Sequence, residues 1–139
     1  MRTLILFPIF FLLLFASCSI FSQEFNIPRI SIDELKALMD NGQDIVILDT
    51  QPNKIYQLRH IKGAISFPWV RKIEPSAVEK LPRNRLIVLY CDCGPEEGDS
   101  NYMALQFKRL GFVQTKVLAY PSIGGWVEKG YPIEAKTPD

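Results

Sequence analysis

Two short apolar runs, residues 45–48 and residues 86–90, constrain the fold of this chain most strongly. Both are rich in leucine and β-branched residues and show no alternation with polar residues, which is typical of strands buried on both faces. A third apolar run covers residues 117–119, and segments with helical periodicity lie between the runs. This alternation predicts an α/β domain of three layers, in which helices flank a central parallel sheet.

Start and stop signals bound the predicted helices. Ser31 and Glu34 have the spacing of a capping box, and the apolar positions after them give one helical face. Pro52 suits the start of a short helix that runs to residue 59. The remaining elements are a short strand at residues 64–67 and helical segments at residues 75–81, 101–110 and 125–129.

Cys91 directly follows the second apolar run, and another thiol, Cys93, lies two positions later. A helical pattern begins near Ser100, so Cys91 stands between a strand end and a helix start. Open α/β sheets bind ligands at the carboxyl ends of their strands. The N–H groups of a helix start favour negative charge, such as that of a thiolate or a persulfide. We therefore expect the sulfur of Cys91 to face an open concavity at this edge.

The first residues resemble a bacterial lipoprotein signal. Arg2 precedes an uncharged apolar stretch over residues 4–16, and small residues then lead to Cys18. The resemblance implies a signal peptide over residues 1–17, cleavage before Cys18 and lipidation of its thiol. The alternative is an uncleaved membrane anchor, although the stretch is shorter than the roughly 20 residues that a spanning helix needs.

One small domain is expected beyond the signal. Residues 18–27 are assigned to a lipidated N-terminus and tether, and residues 28–136 to the domain itself. Ser19 after the lipid site favours outward sorting, so we expect an exported protein that is anchored by lipid, facing the periplasm, at the outer membrane. We expect contact with the membrane through the lipid anchor only, and a monomer.

The charge balance argues against a nucleic-acid partner. The chain has 16 basic and 15 acidic residues, and loss of Arg2 with the signal makes the two numbers equal. A nucleic-acid-binding domain shows a basic excess or a basic stripe, and neither is present. Cys91 and Cys93 are too close in sequence to staple a fold, so reactive, metal-binding and incidental roles stay open for this pair in an oxidising compartment.

Five segments, in order, resemble the motifs of rhodanese domains. They cover nearly the whole predicted domain, and five matches in order are far more specific than any one of them. They are Leu48-Asp49-Thr50-Gln51, His60-Ile61-Lys62-Gly63-Ala64-Ile65, Tyr90-Cys91, Leu110-Gly111-Phe112, and Trp126 with Gly130-Tyr131-Pro132-Ile133.

This resemblance implies a rhodanese-like fold and a sulfurtransferase whose loop cysteine carries sulfane sulfur as a persulfide. Carried over to this chain, the sulfur acceptor is Cys91, and Cys93 is a possible resolving thiol. A small sulfur donor or thiol acceptor is the implied partner, and no cofactor is expected. The active-site loop then consists of Asp92, Gly94, Pro95, Glu96, Glu97, Gly98, Asp99 and Ser100.

The loop departs from the pattern that active family members often show. It is long, has four carboxylates and contains no arginine, and Gln51 stands where many relatives have arginine. An anionic donor such as thiosulfate would meet repulsion there. The loop resembles that of a rhodanese subgroup whose loop reads Cys-x-Cys-Pro, and this resemblance argues against a chance occurrence of the two cysteines.

Two supporting residues and two alternative functions complete the prediction. Asp49 either orients the loop or caps the helix near Pro52, and we favour capping. His60 is expected to hold the entry to the next strand through a ring hydrogen bond. No metal site is expected, because two thiols with carboxylates are a poor soft-metal set. The alternatives to sulfur transfer are a non-catalytic binding module and a thiol–disulfide protein that uses Cys91 and Cys93.

Overall fold

The computed structural model describes residues 26–136 of the chain. The predicted signal peptide, the lipidation site at Cys18 and most of the tether over residues 18–27 lie outside the described residues. Ile27 is described, and it is only 1% exposed and packs in the core. This last residue of the predicted tether therefore belongs to the folded domain.

The centre of the domain is a five-stranded sheet whose neighbouring strands are all parallel. In spatial order its strands are β1 (Arg29–Ile30), β6 (Thr115–Leu118), β5 (Leu86–Tyr90), β2 (Ile45–Asp49) and β4 (Ile65–Ser66). The two apolar runs singled out above form β2 and β5, which pair along their whole length. Their register places Asp49 beside Tyr90 at the carboxyl edge of the sheet.

Four α-helices and one 3₁₀ turn connect the strands. They are α1 (Ile32–Asp40), α2 (Asn53–Leu58), the 3₁₀ turn Pro75–Val78, α3 (Gly98–Arg109) and α4 (Ser122–Glu128). The start of α1 is capped as the sequence predicts, because the Ser31 hydroxyl accepts a hydrogen bond of 3.1 Å from the Glu34 N–H. The helix predicted at residues 75–81 is the shorter 3₁₀ turn Pro75–Val78, because the poorer hydrogen-bond geometry of 3₁₀ helices rarely extends beyond four residues.

The two faces of the sheet carry separate cores, as the alternation of side chains along a strand requires. On β5, Ile87 and Leu89 point into the core that includes α3, whereas Val88 and Tyr90 point into the core that includes α1 and α4. All four are fully buried. The predicted α/β architecture, with a parallel sheet covered on both faces, is confirmed.

A small antiparallel sheet was missed by the sequence reasoning. It pairs β3 (His60–Ile61) with β7 (Ile133–Glu134), and places His60 opposite Glu134. Two-residue strands are too short to show a periodicity.

The start of α4 was also predicted too late, at Gly125. A Cβ atom at that position would lie 2.5 Å from Pro121 and 2.7 Å from Ile32 of α1, so this glycine permits the close approach of α4 to both residues.

The helices formed by residues 26–136 are too short or too polar to cross a lipid bilayer.

Candidate active site

Two hydrogen bonds between the ends of the two central strands hold Cys91 at the carboxyl edge of the sheet. It is the first residue after β5, and the carbonyl oxygen of Tyr90 just before it accepts two hydrogen bonds from Thr50. The Thr50 N–H and hydroxyl each donate over 2.9 Å. Because Thr50 directly follows β2, both strand ends fix the backbone that carries Cys91. The sequence reasoning assigned no role to Thr50, although it lies within a recognised motif.

The first turn of α3 supplies a polar contact to this sulfur. The Sγ atom of Cys91 lies 3.3 Å from the hydroxyl oxygen of Ser100, which is fully buried. That hydroxyl also donates a hydrogen bond of 3.1 Å to the Glu97 carbonyl oxygen. A hydroxyl has one proton and rotates freely. It can therefore turn from the carbonyl to a thiolate on Cys91 when the sulfur becomes charged.

The sulfur of Cys91 is covered in the described state. It forms a disulfide with Cys93, and Cys91 is only 3% exposed whereas Cys93 is exposed. The expectation that Cys91 faces an open concavity is therefore wrong for this oxidised state. The physical reason is local, because Cys93 lies only two positions after Cys91 and the chain turns between them so that the two sulfurs meet.

The loop between Cys93 and α3 is a tight turn. Gly94 has a φ of +84°, which only glycine adopts easily. The N–H of Glu97 donates a 3.0 Å bond to the Gly94 carbonyl oxygen, and Glu97 itself has a left-handed φ of 51°. The helix then begins at Gly98, two residues before the predicted start near Ser100.

Glu97, one of the predicted loop residues, anchors the loop, a role that the sequence reasoning did not assign to it. Its side chain is 5% exposed, and one carboxylate oxygen lies 2.8 Å from Nε of Arg29 on β1. The other oxygen accepts a bond of 2.5 Å from the Tyr120 N–H, just after β6. The sequence predicted four loop carboxylates without a cation nearby. This prediction is corrected for the one buried carboxylate, that of Glu97, because Arg29 forms an ion pair with it.

The other three loop carboxylates lie at the surface. Asp92, Glu96 and Asp99 are all exposed. Asp92 lies 3.9 Å from a guanidinium nitrogen of Arg59, a long ion pair between exposed side chains. The solvent side of the loop therefore keeps a negative surplus.

Asp49 is buried and belongs to a network at the strand ends. One carboxylate oxygen accepts a 2.6 Å bond from the Tyr90 hydroxyl, and the other accepts a 2.8 Å bond from the Gln51 N–H. Burial raises the pKa of the Asp49 carboxyl, and these hydrogen bonds act in the opposite direction. The capping role is wrong: the cap of α2 is Pro52, without a side-chain hydrogen bond. Asp49 instead joins β2 to β5.

A family model for the rhodanese-like domain matches residues 31–128, which include β2, β5 and the cysteine loop. The chain belongs to the rhodanese-like domain family.

A protein of Synechococcus elongatus, described as an uncharacterized 16.5 kDa protein in the psaL 5′ region, is 37% identical to this rhodanese-like chain over 74 residues. The match covers 50% of this chain and 49% of that protein, so the chain spans about half the length of this curated relative.

Solved structures share the rhodanese fold. The BH2092 protein of Bacillus halodurans matches with a TM-score of 0.69 and 26% identity, over 78% of this chain and 77% of that chain. An EanB variant, in complex with ergothioneine covalently linked to a cysteine persulfide, matches with a TM-score of 0.67 and 26% identity, over 79% of this chain and 28% of that chain. Thiosulfate sulfurtransferase of Pseudomonas aeruginosa is 22% identical, with a TM-score of 0.62, over 80% of this chain and 21% of that chain, which shows the fold alone.

His60 has a structural environment in this rhodanese-like domain. The residue is 2% exposed, its ring is stacked on Tyr56 with centroids 3.8 Å apart, and Nδ1 lies 2.7 Å from the Tyr56 carbonyl oxygen. Its Nε2 atom lies 3.7 Å from a carboxylate oxygen of Glu134. These contacts tie the end of α2 to the small sheet.

An exposed aromatic pair and an apolar cavity lie outside the cysteine loop. Trp69 and Tyr102 are 44% and 41% exposed, with ring centroids 5.8 Å apart. An apolar cavity of about 330 Å³ lies beyond β4, and none of its lining residues belongs to the cysteine loop. Within residues 26–136, the His, Cys, Asp and Glu side chains form no group of three or more that could hold a metal ion.

Proposed function

We propose that this domain transfers sulfane sulfur through a persulfide on Cys91. The observation that carries the proposal is the position of its Sγ atom, at the end of the middle strand of the sheet and 3.3 Å from the Ser100 hydroxyl in the first turn of α3. A helix start and a hydroxyl donor both favour an anionic sulfur at that point. The cysteine persulfide named for EanB supports this chemistry as a capacity of the fold.

The transfer needs two displacements. The Cys91 thiolate attacks the outer sulfur of a donor, the S–S bond of the donor breaks, and the donor departs as its own thiolate or sulfite. An acceptor nucleophile then attacks the terminal sulfur of the Cys91 persulfide and restores the thiolate. Each step exchanges one sulfur–sulfur bond, and the thiolate form of the cysteine is the reactive species.

The charges at the surface of the loop favour a weakly anionic donor. Asp92, Glu96 and Asp99 are exposed, and among the residues that the structure describes only Asp92 of these three has a cation within ion-pair distance. Thiosulfate carries two negative charges, so it meets more repulsion than an organic persulfide with a small or zwitterionic body. We therefore propose an organic persulfide as donor and a thiol as acceptor.

The pair Cys91–Cys93 also supports a second candidate function, that of a thiol–disulfide protein. The described disulfide joins two residues on one loop, with one sulfur buried and the other exposed. An exposed sulfur next to a protected one is the arrangement that thiol exchange needs, because an external thiolate can reach only one of them.

The cellular setting is part of the proposal. We propose that the protein is exported, lipidated at Cys18 and anchored at the periplasmic face of the outer membrane, where the domain works as a monomer. The composition of the N-terminal segment supports this setting, and mass analysis of the membrane-extracted protein for a diacylglyceryl group tests it.

Intact-mass analysis of the reduced, purified chain tests the proposed reaction. After exposure to an organic persulfide or to thiosulfate, the Cys93→Ser variant is expected to gain one sulfur atom that cyanide removes. The matched Cys91→Ser variant should gain none. If the Cys93→Ser variant gains no sulfur with either donor, sulfur transfer through Cys91 is wrong. A wild-type chain that only cycles between dithiol and disulfide then supports the redox function.

A further inference from the structure

The loop geometry brings Cys93 onto Cys91 by local contacts alone. The two Cα atoms lie 5.4 Å apart, a separation typical of disulfides, and the Sγ atoms are bonded. The bond joins positions separated by a single residue, so it adds little to the stability of the fold. A bond with little structural value at the end of the central strand suggests a role in the reaction.

The anchors of the loop do not depend on the disulfide. Glu97 holds one end through Arg29 and the Tyr120 N–H, and the Thr50 contacts hold the strand end before Cys91. None of these contacts involves either sulfur. When the disulfide is reduced, Cys93 therefore stays within reach of a sulfur atom attached to Cys91.

We infer that this domain releases sulfide, with Cys93 displacing it from the Cys91 persulfide, and that a dithiol reductant is its second substrate. This inference rests on the proposed function and names its product and its acceptor. The Cys93 thiolate attacks the Sγ atom of Cys91, the bond between that atom and the terminal sulfur breaks, and the terminal sulfur departs with the electron pair as hydrosulfide. The sulfane sulfur is reduced to sulfide, and the two cysteines are oxidised to the disulfide.

The sulfur atom that Cys93 attacks determines whether sulfide is released or the sulfane sulfur is passed to Cys93. Attack of Cys93 on the terminal sulfur would move the sulfane atom to Cys93 and leave no bond between the two Sγ atoms. Attack on the Sγ atom of Cys91 forms that bond directly. The second route requires the two Sγ atoms to approach each other, and the loop places them in that geometry.

The exposure of the two sulfurs determines how the disulfide reopens. Cys93 is exposed and Cys91 is 3% exposed, so an external thiolate attacks the Sγ atom of Cys93. Cys91 then leaves as a thiolate beside the Ser100 hydroxyl, which can donate a hydrogen bond to it. The second thiol of a dithiol attacks the mixed disulfide, returns Cys93 as a thiolate and leaves the reductant oxidised. A monothiol has no second thiol for this step, so Cys91 can attack the mixed disulfide, expel the monothiol and re-form the bond to Cys93.

Single-turnover sulfide release tests the inference on the full-length chain. The reduced wild type, freed of reductant, is mixed with one equivalent of an organic persulfide. We expect one sulfide per chain, the loss of the free thiols of Cys91 and Cys93, and a mass lower by two hydrogen atoms. The Cys93→Ser variant should gain one sulfur atom and release no sulfide, and Cys91→Ser gives the background release of the donor.

The outcomes separate the inference from the function on which it rests. If Cys93→Ser gains sulfur but the wild type keeps its sulfur on Cys91 or on Cys93, without a disulfide, the release step is wrong and sulfur transfer stands. If Cys93→Ser gains no sulfur, both are wrong. In steady state, dithiothreitol should sustain sulfide release at least tenfold faster than the same thiol concentration of glutathione, and equal rates would overturn the role of a dithiol.

Discussion

Nε of Arg29 lies 2.8 Å from a carboxylate oxygen of Glu97, in an ion pair that joins the first strand to the cysteine loop across 68 positions of sequence. The Glu97 side chain is 5% exposed and that of Arg29 is 35% exposed. Removal of the cation would leave a buried carboxylate without its charge partner, which is costly in a protein interior. The pair therefore fixes the point at which the loop enters α3.

Replacement of Arg29 by methionine is expected to lower the free energy of unfolding by about 2 kcal/mol, below the range for fully buried pairs because Arg29 is partly exposed. Urea unfolding of the oxidised protein measures this change. The matched control is Arg85→Met, since Arg85 pairs with Asp44 at the surface, and should cost less than about 1 kcal/mol. Equal losses for the two variants would contradict the role of the pair.

A variant of Glu97, the partner of Arg29, distinguishes the ion pair from the hydrogen bond that Arg29 also donates to the Ile27 carbonyl oxygen. Glu97→Gln keeps an acceptor for the Tyr120 N–H but removes the charge. In the double variant with Arg29→Met, the loss should be smaller than the sum of the single losses, because no unpaired charge remains. Strict additivity would show that Arg29 acts through Ile27 alone.

Ser100 is expected to control the reactivity of Cys91. In the Cys93→Ser background, Ser100→Ala should slow alkylation of Cys91 by about tenfold, since a hydrogen bond to a charged group is worth about 1.5–3 kcal/mol and sulfur is a weak acceptor. Stopped-flow alkylation at one pH measures the rate. Ser66→Ala, which removes a hydroxyl at the end of β4, is the control and should leave the rate unchanged. A rate for Ser100→Ala equal to that of the control would rule out the hydroxyl as a donor.

The sequence predicts the parts of the site that depend on local signals. The apolar run before Cys91, the capping box at Ser31 and the alternation of strands and helices follow from residues that are close along the chain. The pairing of Glu97 does not, because Arg29 lies 68 residues away in a two-residue strand with no periodicity of its own. The conformation of the loop could not be predicted from the sequence either. Glu97 adopts a left-handed backbone conformation, which sequence patterns predict for glycine and not for glutamate.

The buried carboxyl of Asp49 gives the domain a pH-dependent stability. Burial raises its pKa above the usual value of 3.8. The folded state then holds the proton more tightly than the unfolded state, so stability falls as the pH rises from about 4 through the raised pKa. Relative to Asp49→Asn, the wild type should be most stable near pH 4 and lose this advantage toward neutral pH, as urea unfolding at a series of pH values will show. A difference independent of pH would contradict the raised pKa.

The Tyr90 hydroxyl offers a second variant for the same network. Its 2.6 Å bond lowers the pKa of Asp49, against the effect of burial. Tyr90→Phe removes that bond, so the pKa of Asp49 in the folded protein should rise further. The pH range over which the protein loses the stability that protonated Asp49 provides should therefore extend to higher pH. The variant should also cost about 1.5–3 kcal/mol at neutral pH, because a buried carboxylate loses a donor. A pH range that moves downward would show that the phenol does not stabilise the charged form.

The exposed carboxylates of the loop should decide which sulfur donor the domain prefers. Glu96 and Asp99 are exposed and have no cation within 4 Å in the described part of the chain. At a distance of about 8 Å in a water-like dielectric, each carboxylate costs a dianion about 1 kcal/mol before screening by salt. Physiological salt reduces this cost severalfold, since the Debye length is about 8 Å.

Replacement of both carboxylates, in Glu96→Gln with Asp99→Asn, is therefore expected to raise kcat/KM for thiosulfate by about two- to fivefold at physiological salt. The gain should shrink at 1 M salt, and an organic persulfide without net charge should show little change. Glu79→Gln with Glu128→Gln, which likewise removes two exposed carboxylates but outside the loop, serves as the charge-matched control. A similar gain for both donors, or for the control, would show that the loop carboxylates do not select the donor through charge.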